Sequence, residues 1–145
     1  MWVQEIRKHT DDAEMAIVEI NGVEIACGFP SPSQDYETKE IDLNEKLMPN
    51  QVSSFLVRVR GHSMTGAGIF DGDELVVDRS IRAEDGHVVI AVVDGELTVK
   101  RLRVLRDRVV LAAENPNFPD IEVAELSDLR IWGVVTRSLH HVLRT

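Results

Sequence analysis

Short segments in which apolar and polar residues alternate, or in which valine, isoleucine and leucine run together, recur through the last two thirds of the chain. They fall at residues 55–60, 74–78, 87–93, 96–103, 109–113 and 129–139, separated by stretches rich in Gly, Asp and Asn. Their length and their content of β-branched residues predict strands. Asp94-Gly95 lies between two of these runs and is a hairpin signal, which puts Lys100 on the returning strand. One short helix is expected over residues 43–48, with Asp42 as its N-cap and Pro49-Asn50 as its stop. The predicted fold is mainly β, a compact, partly closed antiparallel sheet.

Residues 1–40 read differently, being polar, acidic and interrupted by proline. The apolar segments 16–20 and 23–26 flank Asn21-Gly22, a second hairpin signal. The stretch Phe29-Pro30-Ser31-Pro32-Ser33 cannot lie inside a helix, because proline lacks the N–H and biases the residue before it toward extended geometry. An isolated hairpin is marginal in water, so this segment is expected to dock on a larger surface. The division that follows is an extended N-terminal arm, residues 1–40, and a body, residues 41–145.

Composition narrows the function classes. With 145 residues, 43% of them apolar, the chain suits one domain with an appendage. A net charge of −9 argues against direct grip on duplex DNA, which needs clustered Lys and Arg to neutralise phosphates. One cysteine makes neither an internal disulfide nor a cysteine-rich zinc site, and the five histidines lack the spacing of a helical metal site. No metal or cofactor is called for. No apolar run approaches the roughly 18 residues that span a bilayer, and the N-terminus lacks a signal pattern. A soluble, cytoplasmic protein is expected.

The candidate chemistry lies in Ser63 and Lys100. Gly61-His62-Ser63-Met64 sets a serine in a tight turn after a strand, and Thr98-Val99-Lys100-Arg101-Leu102 sets a lysine inside another. A serine hydroxyl needs a base to become a nucleophile, and lysine serves only when neutral. Burial disfavours the ammonium, and bringing a lysine from about 10.4 to roughly 7 to 8 takes about 1.4 kcal/mol per unit. Leu97, Val99, Leu102 and residues 88–93 are the candidate apolar walls. Taken singly, a serine in a glycine-bearing turn serves the turn, and a strand lysine is ordinarily a solvated edge charge. His62 is a poor candidate for the base, since adjacent side chains of an extended segment point to opposite faces. Upstream, Ala26-Cys27-Gly28-Phe29-Pro30 is small, extended and cleavable in character. Cys27 as a nucleophile would lack a histidine patterned to activate it.

These motifs, with Ile41-Asp42-Leu43-Asn44, Gly72-Asp73-Glu74-Leu75-Val76-Val77-Asp78, Asp94-Gly95-Glu96-Leu97 and Gly133-Val134-Val135, resemble the LexA/UmuD group of self-cleaving serine peptidases over nearly the whole chain. The ordered set is specific, with 37 positions from Ser63 to Lys100. The resemblance implies a body like the C-terminal domain of LexA, with Ser63 as nucleophile, Lys100 as base and then acid, and backbone N–H groups of His62 and Ser63 as oxyanion donors. It implies a cut at Cys27-Gly28. It further implies stimulation by a RecA filament on single-stranded DNA, and a homodimeric product that serves a UmuC-type translesion polymerase in the SOS response. His62 departs from the aspartate common in such sequences, at a position whose side chain has no assigned role. The alternative is a LexA-like self-cleaving transcriptional regulator without its own DNA-binding domain, since 26 residues before Cys27 are too few to form one.

Overall fold

The computed structural model describes residues 1–8, 17–21, 38–123 and 129–143. Its strands are β1 (Trp2–Lys8), β2 (Ile17–Asn21), β3 (Thr38–Asp42), β4 (Ser54–Arg60), β5 (Glu74–Asp78), β6 (Val88–Val93), β7 (Glu96–Val104), β8 (Val109–Ala112), β9 (Ile121–Glu122) and β10 (Leu129–Leu139). The single α-helix among the described residues, α1 (Leu43–Leu47), starts where expected: the Asp42 carboxylate accepts from the Asn44 N–H at 3.0 Å.

The main sheet runs β1-β4-β5-β10-β6-β7-β8-β9, and a further pairing of β1 with β7 closes its first six strands into a ring. Every pairing is antiparallel. The expected partly closed sheet is thus a barrel, with β8 and β9 continuing beyond the closure. Asp94 and Gly95 join β6 to β7 with φ of 48° and 84°, the geometry that the Asp-Gly pair predicts. Gly133 lets β10 pass close to β5, since a Cβ there would stand 2.6 Å from Val77 Cγ1.

Period-2 alternation gives the sheet two apolar faces. Val57, Val59, Leu75, Val77, Ile90 and Val99 are wholly buried together with Met64 in one cluster. Val89, Ala91, Leu102, Leu111 and Val134 form a second. Burial of each such valine, leucine, isoleucine or methionine side chain contributes about 1.5 to 3 kcal/mol, which makes these strands a rigid frame.

Two features lie in the first 40 residues. β2 pairs with β3 over five residues from Ile17↔Asp42 to Asn21↔Thr38, a separate two-stranded sheet. The expected partner strand at 23–26 and the Cys27-Gly28 bond lie outside the described residues. β1, which the pattern did not predict, is a strand of the body's own barrel. Its alternation is masked because the register slips between Val3 and Glu5, and because Trp2 and Ile6, its most conspicuous apolar residues, are both exposed.

Candidate active site

Ser63 stands just beyond the end of β4, where Gly61 turns the chain with a φ of 109° that a residue with a Cβ adopts only under strain. The Gly61 N–H donates to Asp71 Oδ1 at 2.8 Å, and Met64 anchors the turn by complete burial. Three bonds then tie this turn to the segment after β8. The Glu114 N–H donates to the Ser63 carbonyl at 2.8 Å, the Gly66 N–H to the Glu114 carbonyl at 2.7 Å, and Asn115 Nδ2 to the His62 carbonyl at 2.8 Å. Ser63 is fully buried, whereas its neighbour His62 is exposed.

Lys100 lies in β7 opposite Val89. Residues facing each other across an antiparallel pair share a face, so Val89 and Leu102 flank the lysine. Val99, expected among its walls, belongs to the opposite face and the other apolar cluster. The side chain is nearly all enclosed, 6% exposed for the residue. Burial holds the ammonium below the usual lysine range, against opposing pulls from the Met1 α-amine and from Asp120. The next residue, Arg101, is clamped to Glu114 at 2.5 Å, so one glutamate holds both the strand of Lys100 and the turn of Ser63.

The two sequence motifs meet. Lys100 Nζ donates to Ser63 Oγ at 3.0 Å, and the Met1 α-amine donates to the same oxygen at 2.5 Å. The Met1 carbonyl accepts from Thr98 Oγ1 at 2.8 Å and from the Val99 N–H at 3.2 Å. Burial, then the adjacent Lys100 charge, lowers the Met1 α-amine to about 6. Beside the pair, Met1, Trp2, Leu97, Thr98 and Ile121 line an open cleft of about 280 Å³.

Chemically, a neutral amine within hydrogen-bond reach of a buried hydroxyl can take its proton. Among the described residues no group of three or more His, Cys, Asp or Glu side chains could hold a metal ion, and no helix is long and apolar enough to cross a membrane. Glu114, Asn115, Thr98 and Met1 were not legible as site residues. Each acts through a contact with a distant element, whether by backbone, side chain or terminus, which leaves no local motif.

Residues 16–136 match the model of the peptidase S24-like family. The chain is 45% identical over 116 residues to protein MucA of Salmonella typhimurium, covering 79% of each chain. It is 42% identical over 119 residues to protein SamA of Salmonella typhimurium, covering 82% of each. It is also 36% identical over 121 residues to the LexA repressor of Bordetella parapertussis, covering 80% of this chain and 56% of that one.

Proposed function

The chain belongs to the peptidase S24-like family, with UmuD-like relatives, and we propose that it is a serine peptidase that cuts its own Cys27-Gly28 bond. The observation that carries this reading is the 3.0 Å contact between Ser63 Oγ and Nζ of a buried lysine. Ser63 Oγ attacks the Cys27 carbonyl carbon as neutral Lys100 takes its proton. Backbone N–H groups of His62 and Ser63 are the donors for the oxyanion. The tetrahedral intermediate collapses, and the Gly28 nitrogen leaves with the proton returned by Lys100. Water, activated by the same amine, then hydrolyses the ester between Ser63 and Cys27.

The UmuD-like relatives support the wider role. Residues 28–145, as a cytoplasmic homodimer, would serve a UmuC-type translesion polymerase in the SOS response, with a RecA filament on single-stranded DNA stimulating the cut. Mass spectrometry of the purified chain, held with and without such a filament, tests both steps. The expected result is conversion to a product beginning Gly28-Phe29-Pro30, faster with the filament. A different start, or no product under either condition, overturns the reading.

A further inference from the structure

Resting on that reading, we infer that β1 is an internal plug of the peptidase groove, and that residues 26–30 reach Ser63 only after β1 has left. β1 lies between β4 and β7 and is antiparallel to both, with Trp2 opposite Arg60 on one side and Thr98 on the other. Neighbouring strands stand about 4.8 Å apart, so the space between β4 and β7 holds one extended strand and no more. The Met1 carbonyl takes two bonds from β7, its side chain is 8% exposed in the inner core, and its amine rests on Ser63 Oγ. Ser63 is fully buried in this arrangement. No scissile carbonyl can approach Oγ while Met1 covers it.

The way β1 is seated also says which half of a substrate it displaces. Cutting a peptide bond leaves a free amine beside the serine and lysine, with the chain running on from it. Met1 presents such an amine to Ser63, and Trp2–Lys8 run on from it along β4. β1 therefore occupies the groove as the amine-side product of a cut would. By that analogy, the segment starting at Gly28 would take its place.

The strand is also built to come away. Its register slips between Val3 and Glu5, and Trp2 and Ile6 are exposed. Among the described residues, Trp2 alone is in register with β7, and Glu5 to Lys8 pair with β4 on one side only.

Glu5 and Arg58 face each other in the β1–β4 register, a spacing that a disulfide can bridge. In a Cys27→Ala background, the pair Glu5→Cys and Arg58→Cys locks β1 when oxidised and frees it when reduced. At about pH 9, where more of the lysine is neutral, the oxidised form should release residues 28–145 at least about tenfold more slowly than the reduced form. Equal rates overturn the plug. Val3→Asp, which sets a charge on the buried side of β1 without touching the body, should speed cutting by about tenfold. Slower cutting by a folded Val3→Asp protein makes β1 a structural stave and also overturns the plug. If Val3→Asp does not fold, the crosslink decides. If neither the reduced form nor the unaltered chain cuts, even with the filament, the peptidase reading itself fails, and this inference fails with it; if the unaltered chain cuts and the reduced form does not, Val3→Asp decides.

Discussion

Lys100 has to be both enclosed and neutral to serve Ser63, and these demands pull on the same side chain. Enclosure between Val89 and Leu102 disfavours the ammonium, so the neutral fraction grows at lower pH than for a solvated lysine. Cutting should accelerate as pH rises and Lys100 loses its proton, and a rate flat from about pH 6 to about pH 10 would remove Lys100 as the base. Lys100→Arg should not cut at all, because guanidinium keeps its proton at any useful pH. Ser63→Ala leaves the Lys100 and Met1 amines without their shared acceptor, so it should fold at a cost of about 1 to 3 kcal/mol and yield no fragment. Any product seen by mass spectrometry from Ser63→Ala would end the assignment of the nucleophile. Both residues were legible because each sits in a motif of its own, with Gly61 on one side and strand alternation on the other. Their supports Glu114 and Asn115 were not, because a carbonyl accepting a bond from a loop 51 or 53 residues away leaves no trace in local pattern.

The elements that hold this pair have their own weak points. Asp78 ends β5 and is nearly enclosed, yet its carboxylate is lowered to about 2. Burial alone would raise it, and bonds from Asn50 Nδ2, the Ser80 hydroxyl and N–H, and the Ser53 hydroxyl outweigh that effect. The ionised form is thus favoured in the fold, so its stabilisation is full above an ordinary aspartate's range. It is lost as pH falls through about 4 toward about 2. Asp78→Ala leaves those donors without their acceptor and should cost about 2 to 4 kcal/mol near neutrality in urea unfolding. The gap between variant and parent should narrow in acid; a gap unchanged at about pH 2.5 would refute the account. Strands β5 and β10 match the segments read at 74–78 and 129–139, because each carries consecutive apolar residues that the fold buries, Leu75-Val76-Val77 in β5 and Gly133-Val134 in β10. β1 and β3 escaped notice. β1 turns its tryptophan outward, and β3 (Thr38–Asp42) carries three charges in five residues.

For the whole molecule, the proposed cut and the topology make a joint demand. A break at Cys27-Gly28 puts β1, one of six barrel strands, on the departing piece and leaves its partners β4 and β7 on the body. While the chain is intact, β1 returns to its groove from an effective concentration in the millimolar range. Once the chain is cut, return is an encounter between two molecules, and the contacts left to the piece, β1 with its slipped register and the five-residue pairing of β2 with β3, hold poorly against dilution. The piece is also acidic: Glu5, Asp11, Asp12, Glu14, Glu19 and Glu24 against Arg7 and Lys8 give −4, which takes the remainder from −9 to −5. Two negative bodies do not favour reassociation. At low micromolar concentration the product should therefore be residues 28–145 alone, with the facing edges of β4 and β7 unpaired. Such edges accept an added strand, from a second copy or from a polymerase subunit, so the cut would create the surface that its partner needs. Native mass spectrometry of the fully cut protein should find the body without residues 1–27. Hydrogen exchange should find the β4 amides that face β1 less protected than in uncut Ser63→Ala protein. A fragment that stays bound one to one at micromolar concentration, with β4 protection unchanged, would show that cutting leaves the barrel closed.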